Sequence, residues 1–332
     1  MKFSVGYQLK EDFSLIDTII ENKENISEVY FSFGDFPNGR SNLTQNGFLY
    51  ENVNKQIEDL SRLENMPLNL LLNGNCYGKN ALARSFYNKI GDTVDYLLNK
   101  FNLQCVTTTS PLIARFIKEN FELSTRASVN MGIGSIEGME YVKDVFDSFY
   151  LAREYNRDIE KIQEIRSWCN ENNKKLFGLA NSGCLKNCSA HTFHDNLVSH
   201  ESESAEMDNA YVFEGQCKIF FKKRENRENW LKYMTFIRPE DVSVYENLFD
   251  GLKLATRVNS DPERIIRSYI KGSYSGAVTS ILEPDHTAMF YPRIIENKKI
   301  SQEFLNTVLF CDKKCHKCNY CNEIQKNATI TL

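Results

Sequence analysis

Two short segments of this 332-residue sequence concentrate side chains that ligate metals. In the first, Cys184 and Cys188 follow an apolar run and precede His191 and His194. Gly183 stands directly before the first cysteine, and glycine permits a sharp turn because it has no Cβ to clash at positive φ. Thiolates on such a turn can converge on one metal centre, so we predict that Cys184 and Cys188 are metal ligands.

The second segment holds four cysteines, Cys311, Cys315, Cys318 and Cys321, within eleven residues. This density is hard to explain by packing, and four thiolates can hold either zinc or a [4Fe–4S] cluster. Zinc fingers usually separate two close pairs by a longer loop, whereas closely successive cysteines are typical of ferredoxins. We therefore predict a cluster and keep zinc as the alternative. The first three cysteines also have the spacing of radical-SAM enzymes, but in that superfamily the motif follows the first strand.

The first pair of cysteines needs further ligands to complete a four-thiolate site. Cys217 could join it from a later part of the chain, and Cys169 or a tail cysteine could supply the fourth thiolate. Without a fourth protein ligand, three cysteines would leave one iron open to a substrate. The two nearby histidines are the other candidates, although loop histidines more often lie at the surface. The sequence therefore predicts one or two clusters.

Strand-like and helix-like segments alternate along the chain. Eight short runs are apolar and partly β-branched, as strands covered on both faces should be; they are 2–7, 28–33, 68–73, 104–109, 123–129, 148–153, 175–181 and 252–257. Longer segments between and after them have the spacing of helices; they include 51–64, 81–101, 158–172 and 260–271. Eight strands, each followed by a helix, are typical of a (β/α)8 TIM-like barrel, and an open doubly wound sheet is the alternative.

The predicted domain organisation is a barrel over 1–271 and a C-terminal extension over 272–332 that contains the four-cysteine site. The insertion 182–251, between the seventh and eighth strands, is far longer than a usual connection. It carries all three cysteines of the first group, and we predict a hairpin formed by 211–213 and 216–221. Long insertions at this end of a barrel usually carry function.

Functional side chains of a barrel gather at the C-terminal ends of its strands. From those ends we select Arg153, Glu154 and Asn181 as candidate catalytic residues. The other polar residues there suit a polar or anionic small molecule; they are Asp35, Arg40, Asn73, Asn75, 107–110, Ser128, Asn130 and Arg257. The simpler alternative is that most of them cap helices and satisfy turns. Cys76 and Cys105 are interpreted as core residues, although a Cys/His nucleophilic pair stays open.

Composition limits the class of protein. Apolar residues make up 42% of the chain and charged residues 25%, which allows a sizeable core. The net charge of −4 argues against a generally basic nucleic-acid surface. The N-terminus lacks a signal-peptide pattern, and no apolar run reaches the roughly 20 residues that span a bilayer. We predict a soluble cytoplasmic protein without membrane association, whose ten cysteines ligate metal or are buried.

Two stretches of the sequence resemble the peptidase U32 family, whose members are often called collagenase-like proteases. They are 123–130, LSTRASVN, and 149–162, FYLAREYNRDIEKI, which looks like that family's strand-to-helix junction. By position, Cys184 and Cys188 match the family's first cluster ligands, and Cys217 is a plausible third. The residues before the first cysteine differ from the family's usual Glu-x-Phe-x-His-Gly-Ala, so the chain looks like a divergent branch.

The resemblance implies a barrel-like fold and a [4Fe–4S] cluster held by four cysteines. It also implies either proteolysis or oxygen-independent hydroxylation, and members of the second kind act on tRNA, ribosomal RNA or ubiquinone precursors. We therefore expect an iron–sulfur enzyme that modifies RNA, a peptide or a small aromatic molecule and works with an electron donor or other partner protein. A U32-type peptidase is the first alternative, and a noncatalytic zinc-stabilised binding module is the second.

Overall fold

Eight parallel strands close into a barrel in the computed structural model, which describes residues 1–39 and 50–332. The strands are β1 (Phe3–Gly6), β2 (Ile26–Phe31), β3 (Leu68–Leu72), β4 (Leu103–Thr108), β5 (Ser124–Ala127), β6 (Ser148–Tyr150), β7 (Lys175–Leu179) and β8 (Gly251–Leu254). Each pairs with the next in the chain, and β8 pairs with β1. The predicted (β/α)8 TIM-like barrel is therefore confirmed, and each of the eight predicted strands overlaps an observed one.

Helices follow the strands around the outside of the barrel; the first are α1 (Ser14–Glu21), α2 (Tyr50–Arg62), α3 (Arg84–Lys100), α4 (Pro111–Asn120), α5 (Ile136–Glu140) and α6 (Ile159–Glu171). Sequence patterns explain their faces and ends. The buried residues of α3 recur every three or four positions, as Phe86, Ile90, Val94 and Leu97. Helix α4 begins at Pro111, where the Ser110 side chain accepts a hydrogen bond from the backbone N–H of Ile113.

The interior of the barrel contains a buried network of charged and polar side chains. Arg126 of β5 forms an ion pair with Glu28 of β2. Glu28 also accepts hydrogen bonds from Ser4 at 2.7 Å and Asn69 at 3.0 Å, and Arg126 donates to Ser148 at 3.0 Å. Burial alone would raise the pKa of Glu28, but Arg126 and these donors hold it below its usual value. The network lies inside the barrel and links five of its strands.

The long insertion after β7 is confirmed, and it is helical where we predicted a hairpin. It contains α7 (His191–Ser199), α8 (Glu201–Ala205), α9 (Gln216–Phe221), α10 (Arg224–Arg227) and α11 (Trp230–Tyr233). The hairpin over 211–213 and 216–221 is wrong because 216–221 forms α9. The alternation of Cys217, Ile219 and Phe221 suggested a strand, but Phe221 is buried from a helix. The other half has no strand to pair with, since Tyr211 and Val212 are 92% and 89% exposed.

The C-terminal extension packs against the barrel. After α12 (Pro262–Lys271), it forms β9 (Arg293–Ile295), α13 (Glu303–Phe310), α14 (Tyr320–Ala328) and β10 (Thr329–Thr331), and β9 and β10 pair in antiparallel fashion. Phe304 of α13 belongs to the same hydrophobic core as the barrel helices. No helix in the described part of the chain is long and apolar enough to cross a membrane.

Candidate functional site

A small polar cavity opens at the C-terminal ends of the barrel strands. Its described lining includes the basic residues Arg153, Lys253 and Arg257 and the acidic residues Asp195 and Glu283. The other lining residues are Tyr30, Gly39, Asn73, Val129, Asn130, Leu179, Ser182 and Ala255. This end of a barrel is where active sites lie, and the mixture suits a ligand with anionic and polar groups.

Arg153 connects this cavity to the first group of cysteines. It lies in a short 3-10 helix after β6, and it is only 5% exposed. Its Nη1 donates to Sγ of Cys184 at 3.1 Å, and its Nη2 donates to Oδ1 of Asn130 at 3.2 Å. Its Nε has no hydrogen-bond partner within the described residues. A guanidinium in this position can stabilise a neighbouring thiolate by charge while it still faces the cavity.

The three cysteines predicted as one ligand set lie near one another, at the turn after β7 and the start of α9. Burial raises the pKa of the Cys217 thiol, and the neighbouring Cys184 and Cys188 raise it further. All three are half-buried. Cys169, a candidate fourth ligand, is fully buried in α6, where burial raises the pKa of its thiol to about 12.

The four tail cysteines also lie near one another, around the start of α14. Burial raises the pKa of the Cys321 thiol, the Arg157 guanidinium opposes that shift, and the other three tail cysteines add to it. Cys311 and Cys318 are exposed, whereas Cys315 and Cys321 are half-buried. This group is therefore open to solvent on one side.

An open groove lies between the loop that joins Cys184 to Cys188 and the tail. Lys186 and Asn187 line it from that loop, and Cys315 and His316 line it from the tail. The remaining lining residues are Lys232, Tyr233 and Lys313. The groove is therefore rich in lysine, and Cys315 is the one cysteine in its described lining.

Neither group of cysteines is arranged as a site for a single metal ion. No group of three or more His, Cys, Asp or Glu side chains in residues 1–39 and 50–332 is placed to hold one. Four thiolates can hold either zinc or a [4Fe–4S] cluster. The choice between a cluster and zinc therefore stays a prediction from the sequence.

Lys253 of β8 is a cavity residue that the sequence analysis missed. It is 8% exposed, and its ammonium lies 3.9 Å from the centroid of the Tyr30 ring. Burial lowers its pKa to about 7, the Arg257 cation adds to this effect, and Glu28 and Glu283 oppose it. An amine that titrates near neutral pH can act as a general base or as a nucleophile.

The other two catalytic candidates have different surroundings. Asn181 is fully buried; its Nδ2 donates to the carbonyl oxygens of Ala255 and Ile281 at 2.8 and 3.0 Å, and its Oδ1 accepts from the backbone N–H of Ala255 at 2.6 Å. The amide therefore joins the end of β7 to β8 and to the extension. Glu154 is half-buried beside Arg153, and it does not belong to the described lining of the cavity.

Gly183 permits a close approach of two backbones, where we predicted a turn at positive φ. It is not among the glycines with positive φ in the described chain, and a Cβ at this position would lie 2.2 Å from the carbonyl oxygen of Pro284. Its N–H donates to the carbonyl oxygen of Glu283 at 2.9 Å, and its own carbonyl accepts from Nε2 of His286 at 2.8 Å. The C-terminal extension therefore holds the loop that carries Cys184.

The other polar residues at the strand ends divide between the cavity and the framework. Asn73, Asn130 and Arg257 line the cavity. The Ser128 hydroxyl accepts from the backbone N–H of Asn130 at 3.2 Å, which is the turn-satisfying role given as the simpler alternative. Asp35 forms an ion pair on the exposed surface. Some polar residues at the strand ends therefore line the cavity, and others stabilise turns or the surface.

Four remaining candidates have a definite place in the structure. Cys105 is buried in β4, as predicted. Cys76 was predicted to be a core residue, but it is half-buried, because β3 ends at residue 72 and Cys76 lies in the loop beyond it. His191 and His194 lie in α7. Arg40 falls outside the described residues.

Comparison with known proteins finds similarity both in sequence and in fold. No protein-family model matches the chain. An uncharacterized protease of Methanocaldococcus jannaschii is 27% identical over 318 residues, which cover 92% of this chain and 90% of that protein. The solved structure of the U32 peptidase Mk0906 superposes with a TM-score of 0.56 and 14% identity, over 76% of this chain and 91% of that one, and so shares its fold. The chain is therefore similar in sequence to a protease and in fold to a U32 peptidase.

Proposed function

We propose that this chain is an iron–sulfur enzyme that modifies a polar or anionic biomolecule by oxygen-independent hydroxylation or a related redox step. The observation that carries the proposal is the position of Arg153, which hydrogen-bonds the thiol of Cys184 and also lines the cavity. A redox centre held by Cys184, Cys188 and Cys217 would therefore adjoin the cavity at the C-terminal ends of the strands. The family that the chain resembles includes such enzymes.

A bound cluster would supply electron transfer beside the cavity. The remaining tasks fall to the chain's own side chains. Arg153 and Arg257 are placed to bind anionic groups, such as a phosphate or a carboxylate. Lys253 can take up or release a proton at Nζ near neutral pH. This set of groups suits an RNA, a peptide or a small aromatic acid as the substrate.

The tail cysteines offer an entry for electrons. Cys311 and Cys318 are exposed, whereas the first group adjoins the cavity. The lysine-rich groove is lined by Cys315 of the tail and by Lys186 of the loop between Cys184 and Cys188. A second cluster in the tail would therefore be accessible to a partner protein that donates electrons. Zinc in the tail would instead give this segment a purely structural role.

Iron, acid-labile sulfide and zinc, measured per chain after purification without oxygen, test this proposal. We expect about four irons for one cluster and about eight for two. Cys184→Ala should lose the iron of the first group, and Cys318→Ala should lose only that of the tail. Cys105→Ala, a matched control in the buried core of β4, should keep both. Protein that contains no iron would refute the proposal.

Peptide hydrolysis is the second candidate function, and it is favoured by the names of the two similar proteins, a protease and a U32 peptidase. This function predicts cleavage of a peptide panel that is lost in Cys184→Ala or Glu154→Gln. Cleavage by iron-free protein would favour hydrolysis over the redox proposal. A noncatalytic binding module would show neither activity, would hold zinc in the tail, and would tolerate substitutions over 181–200.

A further inference from the structure

A second cavity, of about 490 Å³, lies where the insertion after β7 meets the C-terminal extension. Arg224 and Arg227 line it from α10, Arg293 lines it from β9, and Lys326 lines it from α14. Its described lining shares no residue with the cavity at the ends of the barrel strands or with the lysine-rich groove, and it includes none of the candidate metal ligands. This cavity is therefore separate from the candidate functional site.

This second cavity is positively charged, in a chain whose net charge is −4. Its described lining contains four cations and a single carboxylate, that of Glu228. Oε1 of Glu228 lies 2.7 Å from Nε of Arg224, in an ion pair whose side chains are both exposed. Arg227 and Arg293 act on this carboxylate through their charge alone, and Lys326 forms no ion pair with any residue that the structure describes. One carboxylate therefore faces four cations.

Hydrogen bonds to the backbone hold the guanidinium of Arg227 in place. Its Nη1 donates to the carbonyl oxygens of Phe221 and Lys222, both at 2.7 Å. These acceptors carry no net charge, so the bonds fix the side chain without neutralising it. They use one nitrogen of the guanidinium, which leaves the N–H groups of Nε and Nη2 for a ligand.

The two walls of the cavity are joined by side-chain amides of α14. Gln325 is 3% exposed; its Nε2 donates to the carbonyl oxygen of Arg227 at 2.5 Å, and its Oε1 accepts from the backbone N–H of Leu231 at 2.8 Å. Nδ2 of Asn322 donates to the carbonyl oxygen of Glu228 at 2.6 Å. The cations of α10 and α14 are therefore held beside one another without a ligand.

We propose that this second cavity binds a small organic phosphate with at least two phosphoryl groups, of the kind found in a nucleoside diphosphate. The arginines can bind phosphate oxygens through paired N–H donors, and Lys326 adds a compact charge. A phosphate monoester carries a charge of about −1.5 to −2 near pH 7, so two linked phosphoryl groups balance this set of charges better than one does. Phe290 belongs to the same lining and offers an apolar surface to the organic part of the ligand.

A ligand in this cavity contacts two parts of the chain that also carry candidate metal ligands. Helix α10 follows α9, which contains Cys217, and α14 contains Cys321. Binding requires neither a metal nor a redox step, so it goes beyond the proposed function and can be measured without it. Because the ligand joins the insertion to the extension, it should raise the unfolding temperature of the protein.

Isothermal titration calorimetry of the full-length protein with ADP tests this site. At low salt we expect a dissociation constant of about 0.1 mM or lower. Arg293→Met and Lys326→Met should each weaken binding at least about tenfold, because each removes a charged donor to phosphate. Arg115→Met, which replaces an exposed arginine of α4 on the outside of the barrel, is the matched control and should bind ADP as wild type does. Without ADP, all three variants should unfold at the temperature of wild type.

Other ligands identify the chemical group that is recognised. Inorganic pyrophosphate should compete with ADP, whereas adenosine should not bind. Absence of ADP binding would overturn the inference, even if a single-stranded oligouridylate RNA did bind, and so would ADP binding that Arg293→Met and Lys326→Met leave unchanged. The iron content should be the same in wild type and in these variants, so failure of this inference is distinguishable from failure of the iron–sulfur proposal.

Discussion

Replacing Lys253 by methionine should remove part of the pH dependence of folding stability. Burial lowers the pKa of this lysine from its usual 10.5 to about 7 in the folded chain. Between these two values the unfolded chain binds more protons than the folded chain does. The free energy of unfolding of the wild type should therefore rise with pH across this range, and the contribution of Lys253 is least favourable at pH 7 and below.

The size of the effect follows from the two pKa values, since one unit corresponds to about 1.36 kcal/mol. Protonation of Lys253 costs the folded chain roughly 5 kcal/mol at pH 6 and roughly 2 kcal/mol at pH 9. Wild type should thus gain roughly 3 kcal/mol relative to Lys253→Met between pH 6 and 9. Methionine is a suitable replacement because it keeps an unbranched side chain against the Tyr30 ring and cannot titrate.

Urea unfolding of both proteins at pH 6, 7, 8 and 9 measures this difference. Other groups titrate in both proteins, so their contributions cancel when Lys253→Met is compared with wild type. Lys79→Met, at an exposed position, is the matched control and should follow wild type at every pH. A stability difference between Lys253→Met and wild type that does not change with pH would refute the argument from burial.

Three further substitutions test the framework around the site. Glu28→Ala should lower the free energy of unfolding by about 3–5 kcal/mol, because it leaves the buried guanidinium of Arg126 without its carboxylate; urea unfolding measures the loss, and a loss below about 1 kcal/mol would contradict it. Asn181→Ala should cost about 3 kcal/mol in the same assay, since it removes three buried hydrogen bonds. Arg153→Met should keep the iron content but lower the reduction potential of the proposed cluster, because it removes a positive hydrogen-bond donor from Cys184; an unchanged potential in a redox titration would contradict this.

The barrel was predictable because its strands and helices carry strong local patterns. The strand predicted at 68–73 is β3, Leu68–Leu72, whose residues are all buried. The helix predicted at 158–172 is α6, and its side-chain cap at Asp158 marks the start. A strand that is buried on both faces must be apolar, and a helix that packs against it must carry an apolar stripe. These requirements are local, so they can be seen in the sequence.

Contacts between distant parts of the chain could not be predicted in the same way. Ser199 and the backbone of Cys76 meet only because the end of α7 lies against the loop after β3. The hairpin prediction failed for the same reason. The alternation of apolar residues over 216–221 suits a strand, and only the surrounding structure shows that Phe221 is buried from a helix. Spacing in the sequence gives no information about either contact.

Charged residues within the strands were the signal that the sequence analysis passed over. Lys253 stands between two leucines in β8, and Glu28 and Arg126 interrupt β2 and β5 in the same manner. In a strand covered on both faces, a charge needs a partner or a cavity. The closed barrel supplies both, because it places these side chains in its interior.

The interior ion pair and the cavity lysine belong to one electrostatic system. Arg126, which is paired with Glu28, donates to the Tyr150 hydroxyl at 3.2 Å, and the Lys253 ammonium lies 5.3 Å from the centroid of the Tyr150 ring and 3.9 Å from that of Tyr30. The cation of Arg126 helps to lower the pKa of Lys253, while the carboxylate of Glu28 opposes this. Burial is the main cause of the lowered pKa of Lys253, and the Arg257 cation is the next. Within the ion pair, the Glu28 carboxylate acts on Lys253 more strongly than the Arg126 cation does. The ion pair therefore limits how far the pKa of this amine falls beneath the cavity.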